Sequence, residues 1–195
     1  MVTRSKAWIL IRWSLAIPTS CGSRSVDAVT SADLLVDAFT RVKETVIGTV
    51  EGLALDELTY RVSSDANTVA WLVWHLTRVQ DDHVAHAAGT EQAWTAREWY
   101  SRFGLPFDAS VTGYGHSSDD VALVRVSSDL LIGYHEAVWR QTLDYVRGLS
   151  DHDLARVVDR SWDPPVTLAV RLISVISDDL QHVGQAAFVR GLLSA

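Results

Sequence analysis

The chain has 195 residues, a net charge of -7, 48% hydrophobic and 21% charged residues. That size and balance suit one domain with a proper core. The acidic balance argues against a nucleic-acid partner, which would call for a basic face. The single cysteine, Cys21, excludes an internal disulfide and a cysteine-based zinc site. Eight tryptophans are many for such a chain and supply large buried or cleft-lining surfaces. Lysine occurs only as Lys6 and Lys43, so arginine makes up 15 of the 17 basic residues. That skew reads as a high-GC genome rather than as mechanism.

Residues 1–27 read as an N-terminal extension, disordered or set before the true start. Arg4 and Lys6 precede the apolar run from Ala7 to Ile17, followed by Pro18 and Cys21. This is loosely the order of a secretory signal with a lipid-modified cysteine. Arg12 interrupts the apolar run, however, and Pro18 stands where such a signal wants leucine. The run is too short to span a membrane and no later segment qualifies. The expected location is cytoplasmic.

Residues 28–195 read as one all-α domain, a four-helix bundle built from four amphipathic segments. The first runs from about Ser31 to Gly52, with Thr30, Ser31 and Asp33 as capping chemistry and Leu35, Phe39, Val42, Val46 and Val50 as its stripe. The second runs from about Thr68 to Ala88, with Asn67 as N-cap, Gly89 as stop, and Val69, Leu72, Val73, Leu76 and Val79 as its stripe. The third runs from about Ser128 to Arg147, striped by Leu131, Tyr134, Val138, Thr142 and Tyr145. The fourth runs from about Val166 to Leu193 after Pro164-Pro165, striped by Leu172, Ile176, Leu180, Val183 and Ala187. Four segments of similar length with one apolar stripe each make a bundle.

The connection from Gly89 to Ser127 is long, and connections of that length are usually functional. A short helix is expected near Thr95–Phe103. Trp94, Trp99, Phe103 and Tyr114 either line a substrate pocket or plug one end of the bundle.

The chemistry concentrates in Ser177-Asp178-Asp179-Leu180-Gln181-His182-Val183-Gly184-Gln185. Asp178 and His182 are four apart and share one helical face, with Asp179 as the competing carboxylate and Gln185 one turn on. A carboxylate beside an apolar stripe is costly unless paired or metal-bound. His75 lies in the middle of the second segment without a chelating neighbour on its own helix. Asp82 and His86 are roughly 10 and 16 Å further along that axis. Spacing alone leaves two readings open. The three residues hold a metal, or His75 is a hydrogen-bonded core histidine and the aspartates pair with Arg171 or Arg78. His83, His86, His116, His135 and His152 have no partner that the sequence indicates.

Thr68-Val69-Ala70-Trp71-Leu72-Val73-Trp74-His75-Leu76-Thr77-Arg78-Val79-Gln80-Asp81 and Asp178-Asp179-Leu180-Gln181-His182-Val183-Gly184-Gln185 resemble the DinB-like metal-binding four-helix superfamily. That superfamily includes mycothiol-dependent maleylpyruvate isomerase and the mycothiol and bacillithiol S-transferases. The resemblance covers about Asp33 to Leu193. It implies a divalent ion, zinc first and nickel second, on His75, Asp178 and His182. Aspartate replaces the longer glutamate or histidine of the family and shortens the reach. The resemblance also implies a metal-activated low-molecular-weight thiol that attacks a small electrophile. Mycothiol is the thiol expected in high-GC actinobacteria. Arg78, Asp82, Asp179 and Gln185 are the candidates for orienting the ligands or meeting the cosubstrate, with Arg171 beside them.

The leading expectation is therefore a metal-dependent mycothiol S-transferase. The alternatives are a hydrolase or isomerase using metal-bound water, and a non-catalytic, stress-related metal-binding bundle. A homodimer is compatible with all three. Thiol-dependent consumption of an electrophile separates the first from the second.

Overall fold

The computed structural model describes residues 29–193. The expectations for residues 1–27, Cys21 included, fall outside the described residues. The chain forms α1 (Ser31–Val50), α2 (Leu55–Leu58), α3 (Val69–Ala88), α4 (Ala93–Ala96), α5 (Trp99–Phe103), α6 (Ser118–Leu123), α7 (Ser128–Val146) and α8 (Asp151–Leu154). A two-stranded hairpin, β1 (Val157–Asp159) and β2 (Val166–Thr167), leads into α9 (Leu168–Leu193). The bundle is α1, α3, α7 and α9, as expected.

Local chemistry sets the helix ends. The Thr30 side chain accepts from the Asp33 amide, while Asp33 accepts back from the Thr30 amide at 2.9 Å. This reciprocal cap satisfies two donors that the first turn leaves open. The cap of α3 is Thr68 rather than the expected Asn67, and its hydroxyl accepts from the Trp71 amide at 3.1 Å. Gly89 ends α3 in the left-handed conformation (φ 69°), which glycine adopts without steric penalty. The start of α9 is two residues later than expected, because Val166 and Thr167 pair with β1.

Each long helix packs on two others: α3 on α9 and α7, and α1 on α7 and α9. One apolar cluster joins Val42, Val46, Leu72, Leu76, Tyr134 and Val183. A second joins Leu35, Phe39, Val84, Leu143, Leu172 and Ile176. Their order along each helix fixes the directions. α1 and α9 run one way, while α3 and α7 run the other. Each of these buried side chains contributes about 1.5–3 kcal/mol through apolar area removed from water.

These directions explain the long connection. α7 runs parallel to α3, so residues 89–127 must travel back along the bundle before α7 can begin. They do so as α4, α5 and α6. Ala93, Trp94, Trp99, Phe103 and Val124 pack into the first cluster and close that end. The Trp94 ring packs at a tilt against Tyr134, with ring centroids 4.9 Å apart. The aromatics of the connection are thus a plug. Tyr114 is the exception, at 93% exposed.

The apolar stripe of α9 differs from the expected one. Leu180 is 49% exposed, and Ala187 is exposed. The buried positions are Leu168, Leu172, Val175, Ile176, Asp179, Val183, Ala186 and Val189. A carboxyl group therefore occupies the middle of the core-facing stripe.

Candidate metal centre

His75 sits where α3 is buried on every side. Residues Val69 to Arg78 are all buried, because α7 and α9 cover one side and the connection covers the other. The His75 Nδ1 lies 2.7 Å from the Thr112 carbonyl oxygen. A carbonyl can only accept, so Nδ1 carries the proton and Nε2 keeps its lone pair. Trp71 stacks flat on the imidazole, with centroids 4.6 Å apart and planes 15° apart. Gly113, at φ 98°, lets the backbone approach. A Cβ there would lie 2.8 Å from His75 Nδ1 and 2.9 Å from the Trp74 ring.

Asp178 and His182 stand one turn apart on α9, facing His75. His182 Nε2 is 3.5 Å from Asp178 Oδ1, an ion-pair distance rather than a tight hydrogen bond. His182 Nδ1 donates to Gln185 Oε1 at 3.2 Å. Both imidazoles thus commit Nδ1 to an acceptor and turn Nε2 toward the cluster. One ligand atom from each of His75, Asp178 and His182 lies within 4.8 Å of the others. Tetrahedral ligands about 2.0–2.1 Å from one zinc lie about 3.3–3.4 Å from each other, so side-chain rotation would draw the widest pair together by up to about 1.5 Å.

The groups fit a divalent ion chemically. Two imidazoles and a carboxylate suit zinc and its neighbours in the transition series. The second carboxylate oxygen of Asp178, Oδ2, is buried without a hydrogen-bond partner. Such an atom is costly to leave alone, and a cation is one way to satisfy it. The pairing of each histidine N–H with a carbonyl acceptor is the usual outer support of a metal-bound imidazole.

The electrostatics follow from burial and pairing. Burial pushes the His75 pKa down, against the hydrogen bond to Thr112. The contact with the Asp178 carboxylate raises that of His182, against burial. For Asp178, burial works upward, but His182 and the neighbouring imidazoles outweigh it and lower the pKa. In the metal-free protein Asp178 and His182 form an ion pair whenever His182 is protonated.

The other expected residues divide. Gln185 lies against His182. Arg78 lies in the interior of the protein. It is fully buried and donates to the carbonyls of Ala109 (3.1 Å) and Val111 (3.2 Å), to Gln92 (2.7 Å) and to Tyr134 (3.2 Å). It latches the loop that carries Thr112. Asp82 faces away and accepts from Gln92 at 2.7 Å. Asp179 points into the core, wholly buried, with neither oxygen hydrogen-bonded. Arg171 pairs with Asp159 at 2.9 Å and not with Asp178 or Asp179.

Three histidines have partners that the sequence did not reveal. His116 accepts from Trp71 Nε1 at 3.1 Å, and His83 Nδ1 lies 2.7 Å from an Arg171 guanidinium nitrogen. His135 is fully buried beside Thr77 at 3.0 Å, and burial lowers its pKa to about 3. Thr112 and Gly113 were missed as parts of the site. The Gly113-Tyr114-Gly115 sequence was a readable sign of close backbone approach. A carbonyl acceptor carries no signature, since every residue has one.

The comparisons agree with this architecture. No curated protein matches the chain. A crystal structure described as a conserved protein from Enterococcus faecalis superposes with a TM-score of 0.78 at 28% identity, over 84% of this chain and 96% of that one. The family model described as Mycothiol-S-transferase matches residues 34–195, all of the bundle but the first three residues of α1, and includes the three clustered side chains. The chain therefore belongs to the mycothiol-S-transferase family.

Proposed function

We propose that this protein is a metal-dependent S-transferase that uses mycothiol and transfers it to a small electrophile. His75, Asp178 and His182 would hold one divalent ion, zinc in the first instance. The observation that carries the reading is the shared orientation of the two imidazoles. Thr112 and Gln185 each take an Nδ1 proton, so both Nε2 atoms converge on Asp178. When bound, the ion would supply a Lewis acid that keeps a thiol ionised near neutral pH.

The chain's own residues then have definite tasks. Thr112 and Gln185 hold the imidazoles in the lone-pair-inward tautomer. Trp71 supports the flat face of His75 and fixes its plane. Arg78 keeps the Thr112 loop in place from beneath. Asp178 would contribute one negative charge, which offsets half of the charge of a divalent ion. A cytoplasmic location fits a reaction that needs a reduced thiol.

The test is thiol-dependent consumption of an electrophile by zinc-loaded protein. Wild type should consume it only when mycothiol is present, and His182→Ala should lose at least a hundredfold of the rate. Consumption without any thiol would instead favour metal-bound water as the nucleophile.

A further inference from the structure

The outer face of α9 differs from those of α1 and α7. Twelve described residues of α9 are exposed, and none of them is charged. The exposed positions of α7 are Asp129, Arg140 and Asp144, all charged. Those of α1 include Asp33, Asp37, Arg41 and Glu44. A helix face that stays in water ordinarily carries such charges. The α9 face instead carries Val170, Ile173, Leu180, Phe188 and Leu192, each 45–65% exposed. A continuous apolar strip of this kind marks an interaction surface.

Large and small residues alternate along the strip in a way that fits a second copy of the chain. At 3.6 residues per turn, Ile173, Ser177, Leu180, Gly184, Ala187 and Gly191 lie within about 40° of one line on the helix. Their alternating steps of four and three are those of a helix–helix seam. An antiparallel copy centred on the level of His182 sets Ile173 opposite the partner's Gly191. It sets Leu180 opposite the partner's Gly184, and Ser177 opposite the partner's Ala187. Each large branched side chain then meets a small residue. A Cβ added at Gly184 or Gly191 would meet nothing within 4 Å, so both positions are open to an incoming side chain. A parallel copy would set leucine on leucine and leave a gap at each glycine.

We propose that α9 packs antiparallel on α9 of a second copy, about a twofold axis at the level of His182, to form a reversible homodimer. Specific interfaces bury about 800 Å² per partner through about 20–30 residues, or about 30–40 Å² for each. The twelve exposed residues of α9 therefore supply about 360–480 Å² per copy and about 700–1,000 Å² in all. That is the low end for a specific interface and suits a dimer that forms and parts with concentration. Asp178 and His182 turn toward His75 on the α3 side of α9, outside the seam. Both metal clusters stay open in the dimer, and metal binding does not depend on it.

Sedimentation velocity of the full-length protein, from about 1 to about 300 µM, tests this. The average mass should rise with concentration from 21.5 kDa toward twice that value. Ile173→Lys and Gly191→Asp are both at exposed positions, and each puts a charge into the seam. Each alone should raise the midpoint concentration about tenfold or more, with metal content and helicity unchanged. The double variant should return to within about threefold of wild type, because the two opposite charges meet across the twofold. Within one chain the two positions are about 27 Å apart and cannot pair. Monomer at every concentration would overturn the dimer. A dimer indifferent to both single variants would overturn α9 as its surface. Loss of the dimer in the single variants, with no recovery in the double, would overturn the antiparallel register.

Discussion

The Thr112 carbonyl accepts the Nδ1 proton of His75 at 2.7 Å, so a loop thirty-seven residues away in sequence decides which imidazole nitrogen faces Asp178. The loop is held from two sides. Arg78 binds the carbonyls of Ala109 and Val111 on its inner side, and Gly113 lies against His75 and Trp74.

Gly113→Ala should weaken metal binding by about 10–100-fold, the range for loss of a ligand's outer support. The new Cβ would lie 2.8 Å from His75 Nδ1 and must push the ring or the loop away. Gly115→Ala is the control. It has a similar positive φ of 77° but open space around its Cβ, so it carries backbone strain alone. Zinc titrations of both variants check the difference. Equal affinities in the two would contradict a role for the Gly113 contact.

Arg78→Met should destabilise the fold by about 3–5 kcal/mol, the usual result of leaving one member of a buried charged pair alone. Asp81, 3.8 Å from Arg78 and buried, is the group left behind. It would keep the amides of Ala93 and Trp94 and the Tyr134 hydroxyl as donors. Chemical denaturation measures the loss, and zinc affinity should fall with it because the Thr112 loop is unlatched.

Asp179→Asn should raise thermal stability at pH 7–8 and have little effect near pH 4. Burial, and then the Asp178 charge, hold the Asp179 pKa well above the ordinary value. A carboxyl whose folded pKa is raised loses stability as pH climbs above its unfolded value near about 4. Removing it lifts that penalty where the penalty exists. A gain of about 1–3 kcal/mol would appear as a Tm increase of about 2–4 °C per kcal/mol. Metal content should be unchanged, since Asp179 faces the core.

In metal-free protein the Asp178–His182 pair should stabilise the fold most between about pH 4 and 6.5. The raised His182 pKa gives stability that is complete below about 6.5 and is lost as pH rises through the higher folded value. The lowered Asp178 pKa gives stability that is complete above about 4 and is lost as pH falls through the lower folded value. The Tm difference between wild type and Asp178→Asn, followed against pH, should therefore peak in that window. Metal binding has the opposite demand, because His182 must lose its proton, so zinc affinity should fall as the solution is acidified.

Much of the fold was legible because periodicity reports burial. Leu35, Phe39, Val42, Val46 and Val50 are all buried, as their spacing requires. The stripe of α9 was harder to read, because Asp179 is buried and Leu180 half exposed, which inverts the usual preferences. The hairpin before α9 has only two paired registers and no alternating pattern to betray it. For the site, the one-turn spacing of Asp178 and His182 marked a shared face. What brings His75 to them is the packing of α3 on α9, and that is a tertiary fact. Arg78 stood out only by its place one turn beyond His75. Its actual partners are backbone carbonyls of a loop, which no local pattern announces.

The most direct test of the central claim is elemental analysis of purified wild type, His75→Ala and His182→Ala. One zinc or similar divalent ion per chain in wild type, lost in both variants with helicity intact, is the expected result. A wild type that takes up no metal even after reconstitution, or variants that retain it fully, would contradict the assignment of His75, Asp178 and His182 as a metal centre.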